Sequence, residues 1–279
     1  MPKSLILLFS IILLTTYSCK QTKSTMKSGT DNSFQVNAES FADLQVLRYQ
    51  VPGWEKLTPQ QQELAYYLYE ASLSGRDIIW DQRGKYNLMV RKTIEAIWKT
   101  PGIAKNTSDW EKFRTYSGQV FFSNGIYHHY SSDKLTPEFT YDYFASLVRQ
   151  TNPADLPLFM GANEEQLLSI LKQVIFTPGF QPKMVDLRAG VDNVANSANN
   201  FYEGVTQQEV EAFYDKFPKS DQEPEWGLNS KVVKENGKLV EHVWKSGGMY
   251  GSSIDKMIYW LEKAIPVAEN AQQAKAFKI

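Results

Sequence analysis

The side chains that most often carry enzyme chemistry are nearly missing from this chain. Its 279 residues include one cysteine, Cys19, and three histidines, His128, His129 and His242. A single cysteine makes no internal disulfide, so oxidative stapling is excluded. No HExxH helix can be written, and no zinc site of ordinary spacing follows from these positions. Adjacent residues point to opposite faces of a strand, or about 100° apart on a helix. His128 and His129 are therefore expected to diverge rather than grip one ion, and His242 reads as a surface residue of a strand. GxGxxG, GxxxxGKS/T and GxSxG are absent as well, which removes the common phosphate loops and the nucleophile elbow. Charge of one sign is also lacking. Lys and Arg number 30 against 31 Asp and Glu, so the basic footprint of a nucleic-acid binder is missing and no nucleic-acid partner is expected.

What remains is an ordinary globular balance, 42% apolar and 22% charged, enough to build a core in one or two domains. The longest apolar run is Leu5 to Leu14, broken only by Ser10. It is too short for a bilayer core, which needs about 20 residues, and fits the apolar stretch of a signal peptide. Lys3 supplies the positive start, and Ser18-Cys19 supplies a junction with a small residue before the cysteine. Residues 1–19 thus look like a bacterial lipoprotein signal, with Cys19 carrying the lipid and the cell envelope as the expected location. A plain cleaved signal in which Cys19 is incidental is the alternative. Residues 20–37 are polar and read as a tether, leaving 38–279 as the folded body.

Within the body, cap-and-period signals predict a mainly helical α+β fold. Thr58-Pro59-Gln60-Gln61 opens a helix that Ser74-Gly75 stops. Asn87 to Lys99 carries Val90, Ile94 and Ile97 at helical spacing, and Thr100-Pro101-Gly102 ends it. Thr136-Pro137-Glu138, Asn163 and Thr206-Gln207-Gln208-Glu209 open further helices. Asn236-Gly237 between Lys231–Lys234 and Lys238–Trp244 signals a two-residue hairpin. Ser252 or Ser253 caps a last helix that passes Pro266 and runs to the end of the chain, as a truncated body would.

Three segments bear on function. Ser123 to Asp133 concentrates hydroxyls, imidazoles and aromatic rings, the mix expected either of a binding-cleft wall or of a loop packed on its neighbours. Asn-rich residues 191–200 read as a loop with side-chain caps. Gly247-Gly248-Met249-Tyr250-Gly251 reads as a turn into a helix, with close ligand approach as the alternative.

Taken in order, several of these segments resemble the N-terminal part of the dipeptidyl peptidase III family, in its Bacteroidetes-type bacterial form. The resemblance is carried by Leu47-Arg48-Tyr49-Gln50-Val51-Pro52-Gly53-Trp54, by Leu64 through Arg76-Asp77-Ile78-Ile79-Trp80-Asp81-Gln82, and by Asn124-Gly125-Ile126-Tyr127-His128-His129-Tyr130. Asn200-Phe201-Tyr202, the Asn236-Gly237 hairpin and Ala268 to Gln273 continue it, so that it covers roughly residues 40–279. It implies a two-lobed peptidase with a wide cleft, which uses zinc held by an HExxGH helix and a further glutamate to release dipeptides from the N-termini of short peptides. HExxGH is not in this sequence, so the resemblance implies that zinc and catalysis lie downstream of this chain and that no residue here is catalytic or a metal ligand. Asn124, Tyr127 and Tyr130 are the residues it implies for contact with the peptide. A lipid-anchored protein that binds peptides or other ligands without chemistry is the alternative.

Overall fold

A computed structural model describes residues 34–158, 163–218 and 226–278. The stretch expected to be a signal peptide, Cys19 and most of the expected tether lie outside the described residues. The chain divides into two units, Met1–Val36 and Asn37–Ile279, and the architecture below is that of the second.

In chain order the elements are strands β1 (Asn37–Phe41) and β2 (Leu44–Leu47), then helices α1 (Pro59–Ser74), α2 (Arg76–Gln82), α3 (Asn87–Lys99) and α4 (Ser108–Ser123). Helices α5 (Tyr141–Gln150), α6 (Glu164–Phe176) and α7 (Asn193–Asn196) follow, then β3 (Tyr202–Glu203) and α8 (Gln207–Tyr214). Strands β4 (Ser230–Glu235) and β5 (Lys238–Val243) precede α9 (Gly251–Ala264) and α10 (Ala271–Ala276). The fold is mainly helical α+β, with one two-stranded and one three-stranded sheet among the described residues.

The core is built by α2 to α6. Met89, Val90, Ile94 and Ile97 of α3 form one buried cluster with Phe113 of α4, Phe144 of α5 and Leu167, Leu171 and Val174 of α6. Each such side chain contributes about 1.5–3 kcal/mol by leaving water. Arg91 is buried on α3, where an unpaired charge would be costly. Asp77 and Glu95 each take one of its nitrogens at 2.7 Å, and its guanidinium lies 5.3 Å from the Trp80 ring. Helices α1 and α9 pack antiparallel on each other through the Tyr67–Trp260 stack, with Gln60 donating to the carbonyls of Val267 and Ala268.

Several sequence expectations hold to the residue. Thr58 and Gln61 form a reciprocal capping box, as do Thr206 and Glu209, and Asn163 caps α6. In the hairpin, Glu235 faces Lys238, and Asn236 and Gly237 have φ of 50° and 77°, the pair of positive values that a type I′ turn requires.

Others are corrected. Thr136-Pro137 does not open a helix. The chain stays non-helical so that Phe139 can be buried against Phe113 and Tyr116, and Thr140 caps α5 instead. Neither Ser252 nor Ser253 caps α9, because Tyr250 occupies the cap position in a left-handed conformation. The last helix is not continuous either. Pro266 has no N–H to give and sits in a 3-10 turn, after which Asn270 caps a separate α10. Helices α2 and α4 and the β1–β2 hairpin went unread. Gly75 ends α1 as expected, but a second helix starts directly after it, and α4 spreads apolar residues over both faces, Phe113 and Val120 inward and Phe121 and Phe122 exposed.

Candidate functional site

The segment singled out for its aromatic and polar side chains forms a closed turn projecting from the end of α4. Asn124 ends that helix in the left-handed region, with φ 51° and ψ 41°, which asparagine tolerates better than most residues. Gly125 follows because there is no room for more. A Cβ there would lie 2.3 Å from Nδ2 of buried Asn87, whose Oδ1 accepts from the Ile126 N–H. Ile126 and Tyr127 then enter the core. Tyr127 is only 2% exposed, and its hydroxyl donates to the Gln181 carbonyl at 3.0 Å. Burial raises its phenol well above the usual range.

Beyond Tyr127 the chain turns outward and is pinned. The His128 N–H donates to Asp133 O at 2.8 Å, and Leu135 N–H to Ile126 O at 2.8 Å. Lys134 N–H reaches Pro182 O and Met184 N–H reaches Ser132 O, stitching the turn to residues 182–184. The His128 side chain closes the loop from within. Its Nδ1 accepts from the backbone N–H groups of Tyr130 and Ser131, both at 3.2 Å. An accepting Nδ1 carries no proton, so the neutral ring is the Nε2–H tautomer, and Nε2 faces Asp43 Oδ2 at 3.6 Å. Asp133 is tied to Lys183 at 2.5 Å, and that ammonium holds its carboxyl below the usual range.

This pinning lines up four rings. His128 and His129 are 4.4 Å apart between centroids and inclined by 30°, so the expected divergence of the two histidines is wrong. The tight turn at 128–132 follows neither strand nor helix geometry, and the two rings lie tilted against each other. Tyr130 follows at 4.4 Å from His129, and Phe122 meets His129 edge-on at 5.0 Å. Tyr130 is 86% exposed. Of the three residues expected to touch a peptide, Asn124 sets the direction of the turn and Tyr127 roots it. Tyr130 alone presents an open side chain.

A zinc ion does not fit these donors. His128 Nδ1 is already accepting two backbone hydrogen bonds, and His242 Nε2 pairs with Glu235 at 2.9 Å. Among the described residues no group of three or more His, Cys, Asp or Glu is arranged to hold a metal. No helix among them is long and apolar enough to cross a membrane.

A second polar assembly escaped sequence reading. Asp81 accepts from the Tyr250 hydroxyl at 2.6 Å and from Asn200 Nδ2 at 2.9 Å. Asn200 Oδ1 accepts from Lys231, which also binds Glu203, and Lys85 meets Glu203 on its other oxygen. Burial works against the Glu203 charge, and the two ammoniums outweigh it, leaving its carboxyl below the usual range. Burial and the Asp81 contact raise the Tyr250 phenol. The network joins α2, β3, β4 and α9 across large sequence separations, which no local pattern reveals. The Asn-rich stretch, read as a capped loop, instead contains the single-turn helix α7: Asp192 caps it, taking the N–H groups of Ala195 and Gln207, and these lower its carboxyl.

No protein-family model matches the chain, and no curated protein sequence matches it. Among solved structures, that of DPP III from Caldithrix abyssi aligns with a TM-score of 0.47 at 15% identity. The alignment covers 81% of this chain and 30% of that one, so the chain spans less than a third of the length of the solved protein.

Proposed function

We propose that this chain is the N-terminal, non-catalytic part of an exported, zinc-dependent exopeptidase that removes dipeptides from the N-termini of short peptides. In this reading residues 124–133 form part of the wall against which the peptide lies, and zinc is held by residues outside this chain. Cys19 carries a lipid that keeps the protein at the cell envelope. The ordered sequence resemblance over residues 40–279 supports the activity class.

The observation that carries the reading is Tyr130. An 86% exposed ring, backed by His129 and held by a turn with its own internal acceptor, is a pre-formed apolar surface. Exposed apolar surface of this kind is stabilised by covering it, and a turn already pinned loses little entropy when a ligand does so. Asn124 and Tyr127 act as positioning residues for Tyr130. Backbone groups and the Asp133–Lys183 pair supply polar partners on either side of the rings.

The test is titration of the isotope-labelled chain with an unmodified tetrapeptide, followed by NMR. Tyr130, His129 and Phe122 signals are expected to move together. Tyr130→Ala should weaken binding by roughly three- to tenfold, the value of one aromatic contact of about 0.5–1.5 kcal/mol. Equal affinity in the variant, with its fold intact, would overturn this reading of the turn.

A further inference from the structure

His128 fills a place in the turn that asparagine or aspartate usually takes. In an Asx turn the side chain accepts from backbone N–H groups a few residues further on. Here an imidazole does so, its Nδ1 accepting from the N–H groups of Tyr130 and Ser131 at 3.2 Å each. An amide oxygen accepts at any pH, whereas a ring nitrogen accepts only without its proton. The base of the turn does not depend on this ring. Backbone pairs hold it: His128 N–H to Asp133 O, Ser132 N–H to His128 O, Leu135 N–H to Ile126 O and Met184 N–H to Ser132 O. The tip does depend on it. For the Tyr130 and Ser131 N–H groups, Nδ1 is the one acceptor among the described residues, and Ser131 Oγ adds a single tie to Asp133 N–H at 3.3 Å.

We infer that His128 is a positioning residue for Tyr130 that holds the tip of the turn only while its ring is neutral. A proton on Nδ1 would set one N–H against two others, so protonation and the latch exclude each other. The ring is open to solvent, with 29% of its side chain exposed. Asp43 Oδ2, from the turn between β1 and β2, faces Nε2 at 3.6 Å. The rings of His129 and Tyr130 lie 4.4 and 6.4 Å away between centroids, and Asp133 is engaged by Lys183. Asp43 favours the imidazolium, and a second charge on His129 would oppose it. Neither alters the exclusion, because Nε2 carries a hydrogen in both forms and only Nδ1 changes. The latched turn therefore takes up no proton at Nδ1, and the released turn does. Latching is complete above the range in which imidazoles titrate, about 6.5, and is lost as pH falls through it. Presentation of the Tyr130 ring becomes acid-sensitive in this way. A consequence for peptide binding rests on the proposed function, while the latch itself does not.

The test follows backbone nitrogen-15 relaxation in the whole chain without peptide, from about pH 8 to about pH 5, across the histidine range. Ring nitrogen shifts report the protonation of His128 in the same samples. The Tyr130 and Ser131 amides are expected to fall from a rigid order parameter of about 0.85 to below about 0.6 as the ring gains its proton. Leu135, in the base of the turn, should stay rigid. His128→Asn, which keeps an acceptor that does not titrate, should hold the tip rigid throughout. His128→Leu should leave it mobile even at the upper end. Should a variant fail to fold, the unaltered chain still decides. A ring that stays neutral to the lowest pH, or a tip that stays rigid once the ring is protonated, would overturn the inference. A His128→Asn tip that loosens in acid as the unaltered one does would overturn it too.

Discussion

Helices α3 and α1 look alike as sequence patterns and differ in what surrounds them. Both carry apolar residues at helical spacing and end at recognisable stops. On α3 that stripe is sealed by α4, α5 and α6, and eight of its residues are buried. On α1 only Leu64 and Ala71 are buried, while Tyr66, Tyr69 and Leu73 stay exposed, Tyr66 although its ring meets Trp260 of α9 edge-on. Helix α9 is similar, with Ala264 its one buried residue and Ile258 and Tyr259 open. Periodicity therefore marks a helix and one side of it, but not how many neighbours that side will meet. Aromatic residues blur the distinction further, since a tyrosine serves both a wet and a dry face.

The largest effect separating the two regions should come from Phe113→Ala. Phe113 is fully buried and touches the rings of Trp110, Phe139 and Phe144, so truncation leaves a cavity at the centre. A loss of about 3–5 kcal/mol in urea unfolding is expected. Gly237→Val should cost less, about 1 kcal/mol or more. Nothing stands within 4 Å of a Cβ at that position, so the cost is backbone strain alone at φ 77°. A melting temperature unchanged by Gly237→Val would mean that the hairpin tolerates another turn. The smallest effect should be that of Tyr69→Ala on α1, within about 0.5 kcal/mol, because its ring is 60% exposed. A loss there as large as that of Phe113→Ala would break the comparison and show that α1 is sealed as tightly as α3.

Much of this molecule was legible where chemistry is local. Thr58, Asn163 and Thr206 announced their helices because a cap and its donor lie three residues apart, and Asn236-Gly237 announced its turn because few residues accept two positive φ values. Legibility failed where a distant partner decides. Phe139 delays α5 by filling the core, and Tyr250 replaces the serine caps of α9 because it binds Asp81, 169 residues away. The candidate site divides in the same way. The richness of residues 123–133 in rings and hydroxyls was visible. That Tyr127 points into the core while Tyr130 points out depends on Asn87, Gln181 and the carbonyl of Pro182, which the local sequence does not contain. The contact of the His128 and His129 rings follows from the pinned turn and contradicts the alternation expected of regular elements.

In the proposed function this chain presents a peptide-facing wall, and the zinc is held by residues outside it. The most direct test measures zinc by elemental analysis on the purified, dialysed 279-residue chain and assays the same sample with a dipeptidyl-naphthylamide. A hydrolytic zinc needs about three converging protein ligands beside an open position, and here His128 accepts from the backbone while His242 pairs with Glu235. The account predicts well under one zinc per chain and no release of naphthylamine, while the tetrapeptide still binds in a Tyr130-dependent way. Near one zinc per chain together with cleavage would contradict it.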